Sequence, residues 1–139
     1  MVEEEKLQEK LLAYRIIESR LENLLRQRDM LMNRIIEIET TLSSLKETKR
    51  GKNAAFSIGS GAHVLGKIGE EDKIIVEIGA GVALEKTVKE AEEILSKRNE
   101  EVERVLTEVQ KGITQLSDGL EKLTPEIQEL IDKTKEKAD

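Results

Sequence analysis

The chain has 139 residues, of which 37% are charged and 37% hydrophobic, and its formal net charge is -6. With one Phe, one Tyr and no Trp, it lacks the bulky side chains that fill a globular core, and so much charge suits an elongated fold whose elements share one narrow apolar seam. The absence of Cys excludes a disulfide framework and a thiolate metal site, and the lone His63 excludes a multi-histidine one. The expectation is one folding unit with no catalytic, metal-binding or cofactor-binding residue. The acidic start, MVEEEKLQEK, has no apolar core of a secretory signal, and no apolar run reaches the length of a bilayer span. A cytoplasmic location without membrane contact is expected.

Charge also argues against nucleic acid as a partner. Residues 1–50 carry ten basic and ten acidic groups, residues 51–86 four and five, and residues 87–139 nine and fourteen. Binding to a nucleic acid strand calls for a basic stripe interleaved with aromatic stacking partners, and neither is present.

The first arm keeps a heptad repeat from about Lys6 to Leu45. Its a positions are Leu7, Tyr14, Leu21, Arg28, Ile35 and Leu42, and its d positions are Lys10, Ile17, Leu24, Leu31, Ile38 and Leu45. Only Arg28 and Lys10 are polar, so the pattern predicts a coiled-coil helix. The helix is expected to run to Lys49-Arg50-Gly51-Lys52, where basic residues suit the negative helix end and Gly51 suits a C-terminal cap.

From Asn53 to Lys86 the period changes from helical to two. Ala54, Phe56 and Ile58 alternate, then Ala62, Val64 and Ile68, then Ile74, Val76 and Ile78, then Val82 and Leu84. The alternation predicts four short strands, forming two hairpins or one meander. Gly59-Ser60-Gly61 and Gly79-Ala80-Gly81 are read as tight turns whose glycines supply positive φ, and Gly69-Glu70-Glu71-Asp72 as a polar turn between them. Strands this short cannot bury an apolar face alone. Phe56, Ile58, Val64, Ile68, Ile74, Val76, Ile78, Val82 and Leu84 are therefore expected to form an oligomer interface, with Ile75 on the opposite face.

The second arm is predicted to start at Thr87, whose capping box is completed by Glu90. Val88, Leu95, Val102, Val109, Leu116, Leu123 and Leu130 recur every seven residues, and the row four residues later is apolar only through its middle. Gly112 and Gly119 fall off both rows, which points to local softening or a close helix approach, with a functional bend as the alternative. Each seam covers about 39 residues, roughly 58 Å at 1.5 Å per residue. An antiparallel intrachain coiled coil is expected, with Leu7 near Leu130 and both termini at the tip away from the strands. Lys10, Arg28 and Asn99 on or beside the seam are expected to fix register. The fold class is thus α+β, mainly α: one unit over residues 1–139, made of a helix over 1–50, a strand block over 51–86 and a helix over 87–139.

Chemistry has little foothold. Gly61 to Lys67 matches the GxxxxGK part of a phosphate-binding loop, but Ile68 stands where Ser or Thr would bind magnesium, and the segment reads as strand with no helix behind it. Adjacent acidic pairs such as Glu92-Glu93 point about 100° apart on a helix and read as a solvated face.

The segments Ile58 to Ala62, Gly66-Lys67-Ile68, Asp72 to Lys86 (DKIIVEIGAGVALEK) and Leu123-Thr124-Pro125 together resemble the prefoldin family, specifically its archaeal alpha class. The order of helix, strands and helix matches along the whole chain. The resemblance implies a hexamer of two alpha-class and four beta-class subunits, whose hairpins close an intersubunit β-barrel platform carrying six coiled-coil tentacles. It further implies ATP-independent capture of unfolded client polypeptides at the tips and delivery to a group II chaperonin. The residues agree on one point of their own. Leu11, Leu12 and Ile16 lie outside the a and d rows, and Ile127 and Ile131 flank Leu130, which is more apolar surface than a two-helix seam needs. With Leu7 these form the expected client-contact patch, between charged ends that keep the tips in water.

Two further possibilities fit the same pattern. One is a structural coiled-coil scaffold that binds a folded partner along Leu25, Met30, Met32 and Ile36. The other is a prefoldin paralogue that forms filaments by repeating the hairpin contacts.

Overall fold

The computed structural model describes residues 2–138. Two long helices flank four short strands: α1 (Val2–Glu47), β1 (Asn53–Gly59), β2 (Ala62–Lys67), β3 (Ile74–Gly79), β4 (Val82–Lys86) and α2 (Val88–Ala138). This is the mainly helical α+β order that the patterning predicts. Met1 and Asp139, the outermost residues of the two charged ends, lie outside the described residues. The chain divides into two compact units, one made of the chain up to Arg34 with the chain from Val102 on, the other of Ile35–Glu101.

In the first unit the helices run antiparallel, as successive cross-helix partners show. Glu3 pairs with Lys137 at 2.5 Å and Lys10 with Glu126 at 2.7 Å. Further along, Ile17 lies against Gly119 and Leu24 against Gly112. Every a and d position of α1 in this unit is at least partly covered. Lys10, polar on an apolar seam, is satisfied by the Glu126 carboxylate rather than left as a bare charge. Its ammonium stays about one-third exposed, so water screens the pair and its role is alignment more than strength.

Gly112 and Gly119 do not fall off the seam. They face α1 as a third row, seven residues apart, and their missing Cβ atoms let α1 side chains approach. A Cβ on Gly112 would meet Leu24 Cδ1 at 2.9 Å, whereas one on Gly119 would meet Ile17 Cδ1 at an ordinary 3.6 Å. α2 also continues through Pro125, which has no N–H to offer the carbonyl one turn back. Beside it, the Thr124 hydroxyl donates to the Leu120 carbonyl at 2.8 Å.

The second unit holds the strand block and its helical base. Ile38 and Ala91 are its most deeply buried side chains; Ile38 is the expected seam residue, while Ala91 lies on the same third row as the glycines. α1 ends at Glu47, earlier than its basic tail suggested, with Thr48 N–H closing the last turn onto the Ser44 carbonyl at 3.0 Å. Gly51 is therefore not the helix cap. With φ of 74° it turns the chain into the first hairpin, where Gly51 N–H donates to the Ile68 carbonyl and Ile68 N–H to the Lys52 carbonyl, at 2.9 and 2.8 Å.

The strands form two separate two-stranded antiparallel sheets, β1-β2 and β3-β4, and not a meander. Both hairpins turn in the same way: Ser60-Gly61 and Ala80-Gly81 hold φ of 50° and 77°, and 50° and 76°. Positive φ at both central residues matches the right-handed strand twist. Glycine alone does not supply it, since Ser60 and Ala80 adopt the left-handed region at a cost of about 1 kcal/mol. The Gly69 to Asp72 segment links the two sheets rather than turning one strand onto the next.

The two seam glycines make a discriminating pair. Gly119→Ala should raise stability by about 0.5–1 kcal/mol through helix propensity, because the new methyl meets only normal contact. Gly112→Ala should give little or no gain, because Leu24 must shift. Equal gains in thermal melting would show that neither glycine is held by packing.

Candidate functional site

Each hairpin presents two chemically different faces, set by its register. In the first, Ala54 pairs with Gly66 and Phe56 with Val64 on one face, while Ala55 pairs with Leu65 and Ser57 with His63 on the other. The Phe56 ring lies over Gly66, whose Cβ would come within 2.9 Å of it. In the second, Val76 pairs with Leu84 on the face that also carries Ile74, and Ile75 pairs with Glu85 on the opposite one.

Nine residues were expected at an oligomer interface, and within this chain they divide. Val76 is only 7% exposed, and Ile74 and Ile68 are half-buried. Their apolar surface is already covered in the second unit. Phe56, Ile58, Val64, Ile78, Val82 and Leu84 remain exposed. At about 25 cal/mol per Å² of apolar surface, that exposure is a standing drive toward association. Leu65 and Ile75, outside the expected set, are more exposed still, at 84% and 73%.

Two polar anchors fix the hairpins to the helical base, and neither was foreseen. Asp72 Oδ1 accepts from Arg50 Nη2 and from Val88 N–H, both at 2.9 Å, tying the linker to the end of α1 and the start of α2. An acidic group at a helix N-terminus is also favoured by the helix dipole. Arg98 Nη2 donates to the Glu77 carbonyl, holding β3 to α2. These contacts join residues far apart in sequence, so no local spacing announces them. The capping box forms as expected: Glu90 N–H donates to Thr87 Oγ1 at 3.1 Å and Thr87 N–H to Glu90 Oε1 at 3.0 Å.

Residues expected to contact clients lie in the first unit, at the end where Glu3 meets Lys137. Leu12 is 59% exposed and Ile16 is also open, whereas Leu7, Leu11 and Ile131 are half-buried. Ile127 and Leu130 are each 9% exposed and spend their surface inside the seam. A shallow groove of about 210 Å³ lies beside them, lined by Leu11, Tyr14, Thr124, Ile127 and Gln128. Of the midway apolar residues on α1, Met30, Met32 and Ile36 are exposed and Leu25 is half-buried. Asn99 is partly buried and its Oδ1 has no hydrogen-bond partner.

The Gly61 to Lys67 segment is a turn followed by β2, and Gly66 sits beneath the Phe56 ring, so this backbone does not form a phosphate cradle. His63 is exposed opposite Ser57. Among the described residues, no group of three or more His, Cys, Asp or Glu is placed to hold a metal ion, and no helix is long and apolar enough to cross a membrane.

Comparison with known proteins gives a consistent set of similarities. The family model described as "Prefoldin subunit" matches residues 17–133. The chain is 41% identical over 66 residues to prefoldin subunit alpha of Methanococcoides burtonii, covering 48% of each chain. It is 28% identical over 96 residues to prefoldin subunit alpha of Thermofilum pendens, covering 67% of this chain and 74% of the relative. To prefoldin subunit alpha 2 of Thermococcus kodakarensis it is 42% identical over 57 residues, covering 41% of this chain and 40% of the relative. The chain spans less than half the length of the Methanococcoides and Thermococcus relatives. In fold it is similar to a chain of the cryo-EM structure of filamentous PFD from Methanocaldococcus jannaschii, with TM-score 0.70, 24% identity and coverage of 86% of this chain and 98% of that one. It is also similar to the prefoldin beta subunit from Thermococcus strain KS-1, with TM-score 0.63, 15% identity and coverage of 89% and 90%.

The capping box carries a pH dependence. The hydrogen bond from Thr87 N–H, with a second contribution from the Thr87 side chain, holds the Glu90 carboxyl below its ordinary range. A carboxyl depressed in the folded state adds stability that is fully present above its unfolded pKa and is lost as pH falls through the folded value. Glu90→Gln can still accept from Thr87 N–H, so its melting temperature should fall less steeply on acidification than that of the parent. Identical acid limbs would remove Glu90 from the balance.

Proposed function

Since the chain belongs to the prefoldin family, in its archaeal alpha class, we propose that it is a subunit of a chaperone complex that works without ATP and is not an enzyme. Six of its apolar hairpin side chains face water, and this observation carries the proposal. Phe56, Ile58, Val64, Ile78, Val82 and Leu84 are covered once hairpins of neighbouring subunits close a β-barrel, with Ile68, Ile74 and Val76 supporting the same surface from below. The partners are beta-class prefoldin subunits, in a hexamer of two alpha and four beta chains. The complex captures unfolded polypeptides in the cytoplasm and hands them to a group II chaperonin.

Client contact falls to Leu12 and Ile16, with Leu7, Leu11 and Ile131 at their margin and Ile127 and Leu130 buried in the seam. A partly buried Leu or Ile contributes about 1 kcal/mol, short of the roughly 1.5–3 kcal/mol of full burial. One subunit therefore holds a client weakly, and several on one assembly raise apparent affinity by about 10² to 10⁴.

Similarity to a filamentous relative supports a second reading, in which the chain repeats its hairpin contacts into an open filament. The mass of the chain alone and with a beta-class partner separates the two: a closed hexamer with the partner supports the first, and open-ended growth of the chain alone supports the second. A scaffold with one folded partner predicts no protection of unrelated denatured proteins.

Changing Leu11, Leu12, Ile16 and Ile131 together to Ser should abolish suppression of client aggregation while leaving the oligomer intact. Undiminished capture by an assembly of unchanged mass would place the client site elsewhere.

A further inference from the structure

From Thr48 to Gly69 the chain carries no Asp or Glu, although 29 of its 139 residues are acidic. Lys49, Arg50, Lys52, His63 and Lys67 all fall within this stretch. Asp72 pairs with Arg50 at 2.9 Å, and the Glu70 carboxylate lies against Gly51. Lys49, Lys52 and Lys67 are exposed, and among the described residues none of the three makes an ion pair. The dipole of α1 does not account for all of them, because its field fades within the last turn and Lys52 and Lys67 lie beyond the helix end at Glu47. An acidic chain thus holds one uncompensated cationic island.

Backbone pairing gathers that island at one end of the first hairpin. Lys67 pairs with Asn53, Ile68 N–H donates to the Lys52 carbonyl, and Lys52 N–H donates to the Lys49 carbonyl at 3.4 Å. On the outer face, opposite to that of Phe56 and Val64, Lys67 is followed by Leu65 across from Ala55 and by His63 across from Ser57. Leu65 is open to water and Ala55 is small, so a shallow groove of about 600 Å³ runs along Asn53, Ala54, Ala55, Leu65, Gly66 and Lys67. Four of these six belong to the outer face. The second hairpin does not repeat the feature, since its outer face carries Glu77 and Glu85 beside Ile75.

We propose that the outer face of the first hairpin is a docking site for an extended acidic peptide segment of a partner protein. One aliphatic or aromatic residue of the segment packs against Leu65 and Ala55, and the carboxylates that follow it meet Lys67, Lys52 and Lys49. Alternate side chains of an extended chain face the same way, and Leu65 and Lys67 are two positions apart, so the matching pattern is an apolar residue with an acid two positions on. Charge complementarity orients the segment, and the apolar contact holds it. A nucleic acid strand fits less well, because Phe56 lies on the inner face and leaves no ring on this one for bases to stack upon. The site goes beyond the assembly proposed above and needs only that the outer face stay open when the inner face is covered.

The test is fluorescence anisotropy with a labelled peptide in which one Leu and three following Glu alternate with Ser, titrated with the full chain alone and in complex with a beta-class subunit. The same peptide with Gln in place of Glu should bind about tenfold more weakly, as should the parent peptide to the double variant Lys52→Glu with Lys67→Glu. Leu65→Ser should weaken binding about threefold, Lys67→Arg should keep it, and Lys97→Glu, the same charge change on α2, should leave it unaltered. Raising ionic strength from about 0.01 to about 0.15 M shortens the Debye length from about 30 to about 8 Å and should also weaken it. Equal binding of the Gln peptide, or indifference to the double reversal, overturns the site. Tighter binding of a single-stranded RNA of equal charge overturns it in favour of a nucleic acid, and a change in self-association on the double reversal does so in favour of a second copy. Binding lost in the complex shows the outer face to be covered, which equally overturns it. Failure of the parent chain to assemble with the beta-class subunit counts instead against the hexamer, since the peptide is also read on the chain alone.

Discussion

A two-stranded sheet has no second layer, so the apolar face of each hairpin must be covered by something outside it. The second unit meets this demand only in part. Its helical base covers Val76 and partly covers Ile74 and Ile68, but leaves the outer half of each hairpin wet. Asp72 and Arg98 add direction to that partial cover, fixing where the hairpins start and how β3 leaves the base. The exposed strands are thereby presented in a defined orientation, which lowers the entropy lost when a neighbour binds.

The first unit solves a different problem with the same helices. It has almost no aromatic side chains, so its seam is filled by Leu, Ile and Val, and close approach comes from Gly112 and Gly119. Small residues admit Leu24 and Ile17 to the opposing helix, at the helix-propensity penalty glycine always carries. Lys10 with Glu126 then discriminates between registers, because a shift of one heptad would leave the ammonium on the seam without its carboxylate.

Much of this was legible in the sequence, because periodicity reports which side of an element faces an apolar neighbour. The twelve a and d positions of α1, the change of period at Asn53, and the Thr87-Glu90 box all follow from local spacing. Features that depend on distant residues did not. Asp72 accepts from Arg50, 22 residues earlier, and from Val88 N–H, 16 residues later, and Arg98 reaches a carbonyl 21 residues away. The seam glycines were misplaced because a two-row heptad cannot show that Gly112 and Gly119 share a third row facing α1. Of the residues expected to contact clients, Ile127 and Leu130 are deeply buried because both stand on the seam rows of the second arm, whose side chains face the partner helix. The helix end at Glu47 was missed because basic residues mark the neighbourhood of a C-terminus without fixing its last turn.

The repeated hairpin separates two requirements that a single interface would have to reconcile. Strength of association comes from apolar area, which attracts any other apolar surface and distinguishes poorly between partners. Orientation comes from charge, which contributes little energy at an exposed surface but disfavours the wrong pairing. In this chain the inner faces of the two hairpins are alike and the outer faces are opposite. Inner-face contacts can then be tolerant of which hairpin meets which, because the exposed Phe56, Ile58 and Val64 offer the same apolar chemistry as the exposed Ile78, Val82 and Leu84. The hairpin pattern is therefore repeated with its inner face kept largely apolar and its outer face changed in charge, carrying Lys67 on the first hairpin and Glu77 and Glu85 on the second, within the 34 residues from Asn53 to Lys86.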